Sequence, residues 1–105
     1  MAQRVFFLNR LRDGVEPADY ERFVREVDYP FARCLPTIRS YVVTRLDGLW
    51  EGGEAPYDYL EVVEITEVDA YRASLAPDVP GNREFFDQWS SFVGESLVVY
   101  GEVIE

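Results

Sequence analysis

Three segments of this chain carry adjacent valines where an antiparallel strand with one wet face would alternate: Val42–Val43, Val62–Val63 and Val98–Val99. Successive side chains on a strand point to opposite faces, so each pair puts an apolar residue on both sides of its sheet. A sheet with a solvated face shows clean apolar–polar alternation instead. These strands therefore require a cover on both faces, and the rest of the chain must supply one or leave one to be found elsewhere.

The elements fall in a simple order. Residues 4–11, RVFFLNRL, read as a first strand, with Phe6 and Leu8 on one face and Val5, Phe7, Asn9 and Leu11 on the other. Pro17 suits the first position of a helix, in which Tyr20, Phe23, Val24 and Val27 recur at helical spacing; Pro30 is expected to end it near Tyr29. An irregular FARCLPT leads to a second strand over about 38–46. A Gly-rich loop with Trp50 occupies 47–56, and PYDYLEVVEI forms the third strand over 56–65. Thr66 and Asp69 suggest a capping box for a short helix in EVDAYRASL. After APDVPG, Asn82 is placed to cap REFFDQWSSFV, where Phe85, Phe86, Trp89, Phe92 and Val93 share a face. SLVVYGEVI, about 96–104, closes the chain as a fourth strand.

This β-α-β-β-α-β order predicts a single α+β domain over residues 1–105, of the ferredoxin-like, split βαβ kind. Its helices cover only one sheet face. Large exposed apolar patches are uncommon on monomers, so the second face is expected to be covered by a second copy of the chain, giving a homodimer of the dimeric α+β barrel type.

Charge and composition exclude several functions. Acidic residues number 20 against 10 basic ones, all arginine, for a net charge of −10. Such a surface repels phosphate backbones and anionic lipids, which removes nucleic acid and membrane as expected partners. With no histidine and only Cys34, the chain lacks the parts of a Ser-His-Asp or Cys-His triad and of a His/Cys zinc site. No metal and no cofactor is expected. One cysteine cannot close an internal disulfide, and without a thiolate-promoting neighbour it is expected to be inert. The N-terminus shows no signal peptide and no stretch reaches the ~20 apolar residues of a membrane span, so the expected location is the cytoplasm. Aromatic residues make up 15%, more than a minimal core needs, which leaves rings to line a pocket or an interface.

Glu61 and Glu64 on the third strand sharpen the question of where a site lies. Three residues apart, they point to opposite faces. With both faces covered, at least one carboxylate is partly buried and must find a donor or have its pKa raised. Glu61 shares a face with Tyr59 and Tyr57, a pairing able to serve as base and acid or as a structural hydrogen bond. Glu64 is assigned to the other layer, in an ion pair. Asn9 is the one uncharged polar side chain inside the first strand. Asp28 closes the first helix, where its charge opposes the dipole, so a partner such as Arg33 or Arg39 is expected. Tyr41 and Arg39 share one face of the second strand, opposite Ile38 and Val42, and Arg39 can neutralise a carboxylate or stack on an aromatic ligand. Trp50 can close a pocket as a lid or dock on a partner chain. Trp89 is assigned to the core.

VREVDYPFAR at 24–33, the PTIRSYVVTRL strand, PYDYLEVVEI, REFFDQW and the closing VVYGEVIE together resemble the RedY-like, or HapK-type, proteins of prodiginine and bis-indole alkaloid pathways. The resemblance spans nearly the whole chain and implies a dimeric α+β barrel. It also implies a small accessory enzyme that assists a condensation or cyclisation of a heteroaromatic pyrrole or indole intermediate without metal or redox cofactor. On that reading Glu61, Tyr59 and Asp28 are the catalytic candidates: Glu61 with Tyr59 handles protons and Asp28 orients or deprotonates a ring N–H. Asn9, Arg39, Tyr41, Trp50 and Tyr57 are the substrate-binding candidates. A non-catalytic carrier of the same small aromatic compound is the alternative, and a cofactor-independent oxygenase a weaker one resting on fold analogy.

Overall fold

The computed structural model describes residues 2–105. Four strands, β1 (Gln3–Leu11), β2 (Ile38–Arg45), β3 (Tyr59–Ile65) and β4 (Val93–Glu102), form one antiparallel sheet in the order β2-β3-β1-β4. This is the ferredoxin-like arrangement, with β1 and β3 central. Helices α1 (Pro17–Phe23), α2 (Tyr29–Arg33), α3 (Val68–Ser74) and α4 (Asn82–Phe92) provide the helical side.

Alternation on the central strands decides what is buried. Along β3 the residues Tyr59, Glu61, Val63 and Ile65 are buried beneath the helices, while Leu60, Val62 and Glu64 are only partly buried on the other side. The pairs Phe6–Val62, Leu8–Leu60, Val42–Val62, Leu8–Leu97 and Phe6–Val99 run across that second face. It is apolar as the valine pairs require, and no helix covers it: Val42 is 55% exposed and Leu97 and Val99 are also open. Glu64 stands opposite Arg4 and Ser40 there, and no ion pair among the described residues includes it. The expected ion pair is thus replaced by a partly solvated cross-strand position.

Local chemistry departs from expectation at four places. Pro30 does not end the first helix. The rod runs from Pro17 to Arg33 through a wider turn at Val24–Asp28, marked by the Tyr29 N–H bonding back five residues to the Val24 carbonyl. Proline has no N–H and its ring crowds the carbonyl four residues before it; a π-turn just upstream relieves both conflicts and lets the helix resume. At α3 the cap is Glu67, whose carboxylate accepts from the Asp69 and Ala70 amides, rather than Thr66. Asn82 is inside α4, behind a left-handed Gly81, and its amide donates to the Ser74 and Ala76 carbonyls, tying α4 to the end of α3. Finally, β2 slips register between Ile38 and Ser40. That bulge resets the alternation, so Ile38 joins Tyr41 beneath the helices while Arg39 is exposed.

Candidate functional site

Two apolar clusters lie under the helices, one around Tyr20, Phe23, Tyr59 and Phe85, the other around Val5, Val63, Ile65 and Tyr71. Glu61 sits between Tyr59 and Val63 on β3 and therefore falls between the clusters. Glu61 and Asp28 are each 3% exposed and Asn9 is fully buried. Carboxylates this deep need donors, and the fold brings them from three elements, β1, α1 and β2.

On β1, Asn9 accepts at its Oδ1 from the Ser96 hydroxyl of β4 at 2.6 Å, which turns its amide N–H toward Glu61 Oε2, to which it donates. From α1, the Tyr20 hydroxyl donates to the same oxygen at 2.9 Å. From β2, the Tyr41 hydroxyl is in hydrogen-bond contact with Glu61 Oε1 and lies 2.6 Å from Asp28 Oδ2. The π-turn carries Asp28, and the added residue in that turn brings its side chain inward; such bulges recur at functional sites. Among the described residues, no buried side-chain nitrogen or oxygen is left without a partner.

The Tyr41 contact has a definite proton content. A phenol carries one proton and can donate it to one carboxylate only. With Tyr41 touching both, a protonated carboxyl on one side satisfies both contacts. Glu61 has three donors around it, all of which favour its charged form. Among the described residues, Tyr41 is the only donor reaching the Asp28 carboxyl. The arrangement therefore reads as Asp28 carboxyl to Tyr41 hydroxyl to Glu61 carboxylate. Burial and the nearby Glu61 charge push Asp28 up to about 7, against the opposing hydrogen bond from Tyr41. Burial also raises Glu61, with Tyr41, Tyr20 and Asn9 working against it. Tyr20 and Tyr41 are pushed well above the usual phenol range by burial and by Glu61, so both stay neutral.

Asp28, Tyr41 and Glu61 form the polar floor of a cleft of about 490 Å³, counting its open mouth. Its walls are apolar and aromatic: Phe7 and Val63 from the sheet, Phe31 from the first helical rod and Leu35 just past its end, Tyr71 from α3 and Leu75 at its C-cap, and Phe85, Phe86 and Trp89 from α4. Trp89, assigned to the core by its helical stripe, lines this cleft as well as packing on the core. Among the described residues no group of three or more His, Cys, Asp or Glu side chains is arranged to hold a metal, and no helix is long and apolar enough to cross a membrane.

The candidates thus divide. Glu61, Asp28, Asn9 and Tyr41 come together. Tyr59 shares the Glu61 face, but its hydroxyl donates to Glu21 Oε2 at 2.7 Å, and Glu21 also pairs with Arg45 at 3.2 Å. The phenol beside Glu61 is instead Tyr20, which its apolar helical stripe disguised as a core residue; a buried tyrosine hydroxyl has to find a partner. Tyr57 precedes β3, where strand parity no longer applies, and packs under Arg10 with the guanidinium 5.3 Å from its ring. Trp50 is 99% exposed, in the loop at the Arg45–Tyr59 end of the sheet, and does not line the cleft. Arg39 lies in a shallow groove with Arg33 and Tyr29, which adjoins the cleft at Ile38 and Tyr41. Neither arginine pairs with Asp28: Arg33 stacks over Tyr29 at 5.8 Å, and Tyr41 takes the role expected of them.

Comparison with known proteins bears on the fold and the family. HapK from Hahella chejuensis superposes with a TM-score of 0.79 and 25% identity, covering 97% of this chain and 92% of that one. A dimeric ferredoxin-like protein of unknown function from Thermobifida fusca gives a TM-score of 0.71 and 23% identity, with 98% and 92% covered. The hydroxynitrile lyase of Passiflora edulis shares the fold at a TM-score of 0.76 and 13% identity, with 99% and 94% covered. A search of curated sequences gives no significant match. The sequence model described as REDY-like protein HapK matches residues 3–104, and the chain belongs to that family.

Proposed function

We propose that this protein is a small biosynthetic enzyme that assists a cyclisation or condensation of a flat heteroaromatic intermediate, of the pyrrole or indole kind, by acid–base catalysis without metal or cofactor. The observation that carries this reading is the single hydroxyl of Tyr41 set between two buried carboxylates on the floor of an aromatic cleft. The relay has two arrangements. With the proton on Asp28, that residue is an acid facing the cleft. Shifting it through Tyr41 to Glu61 leaves Asp28 as a base at the same place. One site can thus protonate a departing oxygen and then accept a proton from the ring that has formed the new bond. Positioned proton transfer of this kind contributes ~10²–10⁴-fold, sufficient to direct a reaction between compounds that already tend to react. Membership of the REDY-like family supports the biosynthetic setting.

The uncovered sheet face supports a homodimer, formed sheet to sheet with a second copy. Structures sharing the fold include ones described as dimeric. In the cell, a cytoplasmic location and a small aromatic substrate complete the reading.

The test is native mass spectrometry after incubation with a metabolite extract of the source organism, followed by turnover of any retained or consumed compound. Glu61→Gln breaks the relay while keeping the shape of the side chain. An enzyme loses turnover by at least tenfold and keeps affinity. Unchanged conversion would show that the Glu61 relay is not the catalytic group, and a compound held and never converted by the parent protein would support a carrier.

A further inference from the structure

Asp28 and Glu61 face a cleft whose lining contains no arginine, in a chain with no lysine and no histidine. Whatever enters meets one carboxylate charge, one shared proton and a set of ring faces. We infer that the cleft selects a flat aromatic cation, which takes the place of the proton shared by Asp28 and Glu61. This rests on the proposed pocket and names the charge class of its ligand.

The geometry makes the exchange specific to Asp28. Glu61 Oε2 is fixed by Asn9 and Tyr20, and Asn9 by Ser96. Asp28 has Tyr41 alone at one oxygen, and its carboxyl lines the cleft. When a cation lies against that carboxyl, the Asp28 proton passes to water, Tyr41 donates to one carboxylate, and the ligand supplies the positive charge that the proton had supplied. The rings of Phe7, Phe31, Phe86 and Trp89 line the cleft, and aromatic rings attract cations. An anion finds no arginine in the cleft lining; Arg33 and Arg39 lie outside it, in the adjoining groove. A neutral ring can enter but leaves the proton in place. The titratable groups around Asp28 are Tyr20 on α1, Tyr41 on β2, Glu61 on β3 and Tyr71 on α3, and the three tyrosines stay neutral through the physiological range. The α4 wall is Phe85, Phe86 and Trp89, with nothing to titrate.

The probes are quinoline and N-methylquinolinium, the same flat frame without and with a permanent charge, titrated calorimetrically into the whole protein at pH 6, 7 and 8. Free quinoline is mostly neutral at pH 6 and fully so at pH 7 and 8, where the two probes are compared. Expected is tighter binding of the cation at pH 8, with its affinity rising about tenfold from pH 6 to pH 8 as a carboxyl titrating at about 7 loses its proton. Proton release on binding should be visible as heats that depend on buffer ionisation enthalpy at pH 6. Asp28→Asn should flatten the pH dependence; Tyr41→Phe, a second variant, should move its midpoint upward. Equal affinities for the two probes, without pH dependence, would overturn the inference and leave the pocket standing. Failure of both to bind would remove the pocket reading and the inference together.

Discussion

Replacing Asp28 by asparagine tests the proton content of the site without any ligand. The Asp28 carboxyl stands at about 7 in the folded chain against an ordinary 3.8. Between those values the native state holds a proton that the unfolded chain has released. Stability therefore falls as pH rises through this window and levels off above it. At 1.36 kcal/mol per pH unit the whole window amounts to about 4 kcal/mol, of which about 2.5 kcal/mol lies between pH 5 and pH 8. Asparagine mimics the protonated acid, its amide donating to the Tyr41 oxygen while Tyr41 donates to Glu61. Urea unfolding of both proteins at pH 5, 6, 7 and 8 measures the difference. The Asp28→Asn protein should gain on the parent by about 2.5 kcal/mol across that range and be the more stable of the two at pH 8. Parallel stability profiles would mean that Asp28 is ionised throughout, and the bridging role of Tyr41 would be wrong.

Tyr41→Phe removes the one donor that favours the Asp28 anion; a hydrogen bond to a charged group is worth about 1.5–3 kcal/mol, so the midpoint of the pH-dependent stability loss should move up by about 1–2 pH units, read from the same unfolding series. A midpoint that stays put would show that Tyr41 does not bond to Asp28. Val42→Asp puts a charge at a half-exposed position on the edge strand β2, beside Val62 on the uncovered face, and should convert a dimer to a folded monomer in sedimentation velocity; a dimer that persists would place the interface elsewhere. Trp50→Ala should change the unfolding free energy of the monomer by no more than about 0.5 kcal/mol, as for other unpacked surface side chains. A loss above about 1 kcal/mol at concentrations where the protein is dimeric would show that the ring packs on the second copy.

The fold was readable because it depends on features that act over short range. Valine pairs, a proline at a helix start and apolar residues at helical spacing determine element type and face, and four strands with helices between them leave little topological freedom. What escaped was mostly phase. One slipped residue at Ile38–Ser40 exchanged the faces of Ile38 and Arg39, and one added residue at Val24–Asp28 carried the helix past Pro30 and turned Asp28 inward. Neither event leaves a pattern in composition, since each is settled by what the segment must pack against. The site was half legible for the same reason. Asn9 and Glu61 stand on central strands, where parity is reliable. Tyr20 was hidden because a ring in a helical stripe looks the same whether or not its hydroxyl has a task, and Tyr59 was misassigned because sharing a face does not determine where a hydroxyl points.

Glu61 and Glu64 show how one strand separates two chemistries. They differ by three positions on β3, so the pleat sends them to opposite sides. Glu64 reaches the uncovered face, stays partly solvated opposite Arg4 and Ser40, and is an acid of ordinary surroundings. Glu61 goes under the helices, where an uncompensated charge is unfavourable by several kcal/mol. The fold meets that with three donors from α1, β1 and β2 rather than with an arginine. The choice has a consequence for function. An arginine would have fixed the charge of Glu61 permanently and quenched the site, whereas neutral donors keep the carboxylate in place and leave the neighbouring Asp28 free to gain or lose a proton. On the proposed reading, a central strand with a buried glutamate, phenols around it and no arginine among the residues lining the cleft suits a movable proton, and the aromatic cleft gives that proton somewhere to go.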